Sequence, residues 1–375
     1  MTAKTETLYR LTFEVETTKP LPVGEQIFVT GNQEALGNWK PDGLPLSRVE
    51  DTKWAASVRL PSGTKVEYKI TRGEWAREAL GKGGALPGNY TVTVTDDTVE
   101  SREVTYWHDH FPEAPPKIAG DFEIIDTVHS EFLRFDRRVI VWLPPSYNRT
   151  KKKSYPVLYM HDGQQVFDPQ TSTWNQDWEV DEWCMKLMQG KKMDEVIVVA
   201  VYCTEDRMPE YDPAQIGADY ARFMIEELKP MIDEKYRTKT GPEHTAVAGA
   251  SMGGTISFYL AWTRPDIYSM AACLSPAFQF ADNEMDLDLV RQSEEQPGIK
   301  LFLYCGEGDK LERKLMPGMR EMAKLLRGKG FKDYDNLYVV EDTRGAHNEA
   351  AWKEHTDEWL LFFFGRSFSV SSVEG

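Results

Sequence analysis

Hydrophobic and polar positions follow two rhythms along this chain, and the change from one to the other divides it. From residue 7 to about residue 103 the rhythm is strict alternation. It is clearest in Leu8-Tyr9-Arg10-Leu11-Thr12-Phe13-Glu14-Val15 and Trp54-Ala55-Ala56-Ser57-Val58-Arg59-Leu60, with turn residues at regular intervals between such runs. A period of two is that of a strand with one face buried, so this part is expected to be a small all-β sandwich with Trp54 in its core.

From Gly120 the apolar positions run together in short unbroken blocks: Arg138–Leu143, Pro156–Met160, Val196–Val201 and Leu301–Tyr304. Blocks of that length belong to strands covered on both faces. Amphipathic stretches lie between them, clearest at Asp219–Tyr236 and Met316–Leu326, and predict helices. The fold class is therefore α/β, with helices on both sides of a mainly parallel sheet and the smaller β domain in front. The expected boundaries are 1–104 for the sandwich, 105–119 for a stiff linker rich in proline and aromatic residues, and 120–375 for the α/β domain.

Charge narrows the partners. The chain has 375 residues, and 44 Lys plus Arg against 60 Asp plus Glu give a formal charge of −16. Such a field repels phosphate backbones and anionic lipid, so neither nucleic acid nor a membrane surface is an expected partner. The opening residues Met1-Thr2-Ala3-Lys4-Thr5-Glu6 lack the apolar block of a signal peptide. The expectation is a cytoplasmic protein, or a secreted one whose leader has been removed. Cys184, Cys203, Cys273 and Cys305 show no paired spacing and read as free thiols. His108 and His110 in the linker have no further ligand set beside them, so no metal site is expected there.

The chemistry centres on Gly249-Ala250-Ser251-Met252-Gly253. A short apolar run, Thr245–Ala248, precedes it, and a helical pattern ending before Pro265 follows. Strand, G-x-S-x-G, helix is the order of a nucleophile elbow, which pushes a serine hydroxyl clear of the backbone. A serine needs a base, and the base needs a carboxylate to fix its tautomer. His347 follows the last strand-like run in a loop before the final helix, where sites in such sheets lie, and is the expected base. The strand ending at Tyr304 runs into Cys305-Gly306-Glu307-Gly308-Asp309, which offers Asp309 as the acid, with Glu307 the alternative. The order Ser251, Asp309, His347 is that of α/β-hydrolases. Two N–H donors for an oxyanion are expected from Met252, at the start of the helix after Ser251, and from Gln164, in the loop His161–Phe167. His161 and Asp162 are expected to shape that loop.

The front domain resembles the starch-binding type of carbohydrate-binding module. The likeness lies in Ile27–Asn32, Ala35-Leu36-Gly37-Asn38-Trp39, Trp54, Leu60–Gly63, Glu67-Tyr68-Lys69, Trp75 and Asn89. The resemblance implies that Trp39 and Trp75 form a platform for glucose rings, with Lys69 and Asn89 bonding hydroxyls and a polysaccharide as partner. The Gly-rich stretch Ala79–Pro87 departs from the pattern and puts the placement of Asn89 in question. A purely structural role for this domain is the competing expectation.

Residues 120–367 resemble the esterase family that includes esterase D, feruloyl and acetylxylan esterases, mycolyltransferases and enterochelin esterases. The residues that carry it are Val141–Tyr147, Tyr155–Gly163, Gly249–Gly254 and Gly345-Ala346-His347-Asn348-Glu349 with Trp352. The resemblance implies ester hydrolysis without metal or organic cofactor and does not fix the acyl or alcohol part; joined to the front domain, it makes a carbohydrate-linked acetyl or feruloyl ester the expected substrate. The insert Asp168–Trp183, with three tryptophans, and the segment Arg207–Asp212 are expected to line the cleft. A catecholate-trilactone (siderophore) esterase is the alternative within enzymes, and a non-catalytic glycan-binding protein is the alternative outside them.

Overall fold

In the front unit the alternating sequence becomes two four-stranded sheets. The structure, a computed structural model, describes residues 7–22, 24–81, 87–110, 116–279, 284–294 and 296–366. Strand Leu8–Thr17 pairs antiparallel with Lys53–Pro61 and parallel with Thr98–Val104. In the other sheet Thr64–Thr71 lies between Phe28–Gly31 and Tyr90–Val94. Every second residue points inward, so Leu11, Phe13 and Val15 from one sheet share a buried core with Val29, Val66, Tyr68 and Ile70 from the other. Trp54 is 4% exposed within it, as its place in the alternation predicts.

The stretch read as linker is divided between the two units, which separate between Pro115 and Pro116. Tyr106–Trp107 is a strand paired with Ala79–Leu80, and Trp107 is buried. His108–His110 forms a 3-10 turn, where Asp109 holds Arg72 and Arg77. Beyond the division, the N–H groups of Lys117 and Ala119 bond Asp168 and Asp181. Backbone hydrogen bonding and a buried tryptophan thus take 106–110 into the sandwich. Residues 1–6, 82–86 of the Gly-rich stretch and 111–115 of the expected linker lie outside the described residues.

The second unit is built on eight strands: β1 (Asp121–Val128), β2 (Arg137–Leu143), β3 (Val157–Met160), β4 (Ile197–Val201), β5 (Thr245–Ala250), β6 (Met270–Leu274), β7 (Lys300–Gly306) and β8 (Leu337–Asp342). Their order is β1-β2-β4-β3-β5-β6-β7-β8, and β2 alone runs against the rest. The unbroken apolar blocks divide their side chains between two cores. Val157, Tyr159 and Val247 face one, while Leu158, Met160, Ala246 and Ala248 face the other. The parallel strands β3 to β8 end on one edge of the sheet, and the loops leaving that edge carry Asp162, Cys203, Ser251, Ser275, Glu312 and His347. Among the described residues, no helix is long and apolar enough to cross a membrane.

Candidate active site

Ser251 stands between β5 and helix α1 (Met252–Thr263) with φ 57° and ψ −126°, a backbone setting that an L-residue holds only when its surroundings force it. The flanking glycines allow the turn. A Cβ on Gly249 would come 2.6 Å from the Gly253 carbonyl group. Helical hydrogen bonding begins at the N–H groups of Gly254 and Thr255, which both bond the Ser251 carbonyl. The N–H of Met252, the first helical residue, has no partner within the helix by geometry.

Two strands along the sheet, β7 leads into helix α2 (Glu312–Gly328). Glu312 is fully buried at its start. Its Oε1 lies 2.7 Å from His347 Nδ1, while its Oε2 accepts the Gly306 N–H at 2.6 Å and faces Cys305 Sγ at 3.2 Å. The Ser275 hydroxyl bonds the same carboxylate. Ser275 Oγ also accepts the Trp352 Nε1–H at 2.9 Å, and Trp352 meets the His347 ring edge to face at 5.1 Å. Glu312, Ser275, Trp352 and His347 therefore form a closed ring of contacts around the imidazole. Burial works to push the Glu312 carboxyl up, but the bonds from His347, Ser275, Cys305 and Gly306 outweigh it and hold the group below its ordinary value.

Asp309 does not take the expected place against the imidazole. Its Oδ2 accepts the backbone N–H of His347 at 2.7 Å, and its Oδ1 accepts those of Leu311 and Glu312 at 2.8 and 2.9 Å. Burial raises its pKa, but these three N–H bonds more than reverse that. Asp309 thus fastens the His347 loop to the start of α2, and the carboxylate one helical step on meets the ring. Glu307, the alternative, bonds Arg320 at 2.9 Å. Asn348 caps helix α3 (Glu349–Lys353) by accepting the Ala351 N–H, which fixes the chain immediately after His347.

Residues 130–363 match the protein family described as "Putative esterase". The chain belongs to this esterase family. Residues 8–81 match the "Starch binding domain". An endo-1,4-beta-xylanase/feruloyl esterase of Xylanibacter ruminicola is 25% identical over 231 residues, 60% of this chain and 29% of that relative, so the chain spans under a third of it. A solved ferulic acid esterase superposes with a TM-score of 0.54 at 23% identity, covering 65% of this chain and 98% of that one. The enterobactin esterase FES from Shigella flexneri superposes with a TM-score of 0.54 at 15% identity, covering 97% and 94%.

In this esterase the loop after β3 is held on every side. Asp162 adopts the left-handed conformation, and both its carboxylate oxygens bond Arg207, at 2.7 and 2.8 Å. Burial pushes the Arg207 pKa down and the facing Asp162 carboxylate more than reverses it. The Gln164 side chain is committed to Cys203, donating to Sγ at 2.8 Å and accepting the N–H at 3.2 Å, which leaves its backbone N–H as what it can offer a substrate. His161 is buried with Nδ1 2.9 Å from Tyr220 Oη, and burial pushes its pKa down to about 3. These contacts fit the loop-shaping role expected for His161 and Asp162.

The insert is anchored to the same loop. Thr171 Oγ1 donates to the Gln164 carbonyl, and the Trp178 N–H donates to that of Gln165. Trp178 is buried against Trp352, with ring centroids 5.6 Å apart, whereas Trp174 is 64% exposed. Of the three tryptophans read as cleft-lining, Trp178 is thus core and Trp174 is open to solvent. Met208, beside Arg207, is exposed as well.

In the front domain Trp39 and Trp75 are half-buried and stand outside its apolar core. Lys69 is paired with Glu78 at 2.7 Å and is 20% exposed, so its ammonium is turned to its own domain. Asn89 is exposed, with its amide 3.4 Å from Glu67. All four cysteines are free. Among the described residues, the side chains of Asp177, Asp181 and Glu182 lie close enough together to hold a metal ion.

Sequence reasoning missed Glu312 and Ser275, and it read Arg207 as part of a cleft-lining segment without foreseeing its bond to Asp162. A signal for Glu312 was present, since Asp309 and Glu312 have the spacing of a helix-start pair, an acidic N-terminal residue with a glutamate three positions later.

Proposed function

We propose that this esterase hydrolyses carboxylic esters through Ser251, His347 and Glu312, on a substrate linked to carbohydrate. The observation that carries the reading is the His347 imidazole, bonded through Nδ1 to a buried carboxylate, on the sheet edge that also presents Ser251 in a strained elbow. Glu312 takes the role expected of Asp309.

The chemistry follows from those positions. His347 Nε2 takes the Ser251 proton as Oγ adds to the ester carbonyl. Glu312 accepts the Nδ1–H, holds the tautomer and stabilises the imidazolium. The developing oxyanion is received by the N–H groups of Met252 and Gln164, the first at the positive end of α1. The proton then passes to the leaving alcohol, and water repeats the cycle on the acyl-enzyme.

Carbohydrate linkage is supported by the front domain's match to the starch-binding family and by its two half-buried tryptophans outside the core. The exposed Trp174 suits a planar acyl group such as feruloyl. A second reading, trilactone hydrolysis, is favoured by the superposition with the enterobactin esterase across 97% of this chain. An ester panel separates them: acetylated xylan, feruloyl arabinose and an enterobactin-type trilactone. Preference for the sugar esters supports the first reading. Turnover of the trilactone with indifference to the sugar esters replaces it.

A further inference from the structure

A small cavity lies one helical turn beyond the nucleophile. Its walls are Pro213, Thr255, Ala277, Phe278, Met285 and Asp286, and its volume of about 10 Å³ has room for one water-sized group. Thr255 fixes its position relative to the elbow, since its Oγ1 lies 3.3 Å from the Ser251 carbonyl and accepts the Ala277 N–H at 2.9 Å.

Asp286 is the anomaly in this wall. It is 3% exposed, on the helix Met285–Gln292, and among the described residues neither carboxyl oxygen has a hydrogen-bond partner. An aspartate in a first helical turn is ordinarily explained by the N–H groups beside it, but here it accepts none of them. Buried polar groups are nearly always paired, because burial removes water's bonds and nothing replaces them. Asp212, whose charge acts on it, already accepts the Ala214 N–H and the Gln215 amide.

We propose that Asp286 and this cavity form a subsite for one hydroxyl of the alcohol part of the ester. The proposal rests on Ser251 being the nucleophile. A protonated carboxyl both donates and accepts, as does a hydroxyl, so the pair satisfies two otherwise orphaned groups. Burial, with the Asp212 charge adding to it, raises the Asp286 pKa well above its ordinary value and favours that protonated form. The room suits a single oxygen and excludes a bulkier polar group.

The test is a ratio. Turnover per KM is measured for methyl glucoside acetylated on its primary hydroxyl and for cyclohexylmethyl acetate, which has the same shape without hydroxyls. The native enzyme should favour the sugar ester, and Asp286→Leu should lower that preference about tenfold or more. Asp286→Asn, which still donates and accepts, should keep most of it. A native ratio near one, or a preference that Asp286→Leu leaves in place, overturns the subsite.

Should Asp286→Leu fail to fold, the native enzyme decides alone. Methyl glucoside should inhibit p-nitrophenyl acetate hydrolysis more strongly than cyclohexylmethanol does, and equal inhibition overturns the proposal. Ser251→Ala is run in parallel. If it still turns over both esters, the catalytic reading fails. If it is inactive while the ratio is unmoved, the subsite fails alone.

Discussion

Glu312 Oε1 lies 2.7 Å from His347 Nδ1, at the first residue of a helix whose preceding turn is tied by Asp309 to the His347 backbone. One carboxylate holds the ring and another holds the loop. The distinction ranks three substitutions. Glu312→Gln removes the charge that steadies the imidazolium and should lower kcat by about three to four orders of magnitude. Asp309→Asn keeps the shape and one acceptor, and should cost about tenfold. Glu307→Gln should be near neutral. Steady-state hydrolysis of p-nitrophenyl acetate reads all three, and Asp309→Asn costing more than Glu312→Gln would return the acid role to Asp309.

The sandwich and the α/β sheet were legible in the sequence because their rhythms are set by which faces are buried. The elbow was legible because its glycines are sterically required. Glu312 was marked only by its spacing from Asp309 and not by periodicity, for a physical reason: the apolar periodicity of α2 starts at Met316, while the helix itself starts four residues earlier. A charged residue outside that periodicity reads as a solvated loop. Its burial depends on Ser275 and the Gly306 N–H, which come from neighbouring strands. The extent of the sandwich was missed similarly, since Trp107 is buried through a two-residue pairing that leaves no periodic trace.

Acid–base linkage should be visible in stability near neutral pH. Burial works to push His355 down, but Glu358 and Asp342, at 3.3 and 3.5 Å, outweigh it and raise its pKa above the ordinary value. A raised folded value means that the histidine contributes fully below the unfolded value of about 6.5, and that the contribution is lost as pH rises through the folded value. His355→Gln should therefore lower Tm by roughly 2 °C at pH 6 and by less at pH 8. Thermal melts across that range check it, and an equal deficit at both pH values contradicts it.

The exposed indole of Trp174 tests the cleft. Trp174→Ala should raise KM for methyl ferulate by about fivefold to tenfold, the loss of one aromatic contact, with kcat little changed. Ethyl acetate, which has no ring to stack, should show no such shift. A matching rise for both esters would mean that the insert has moved rather than lost a platform.

Glycan binding through the front domain has its own measurement on the full chain. Amylose in a native gel should retard the protein, and Trp39→Ala with Trp75→Ala should remove the retardation while leaving p-nitrophenyl acetate hydrolysis intact. Each stacked ring contributes on the order of 1 kcal/mol, so retardation should need high polysaccharide concentration. Lys69→Ala should weaken the domain's thermal stability more than its retardation, because its ammonium is held by Glu78. Identical migration of native and doubly substituted protein in amylose and xylan would make the domain a scaffold.

The central claim is that Ser251 is the nucleophile. A fluorophosphonate probe, followed by mass spectrometry of the digested protein, tests it most directly. The account predicts one adduct, on Ser251, forming at least a hundredfold more slowly in Glu312→Gln because the imidazole then loses its support. An adduct on another residue, or labelling that persists in Ser251→Ala, would contradict it.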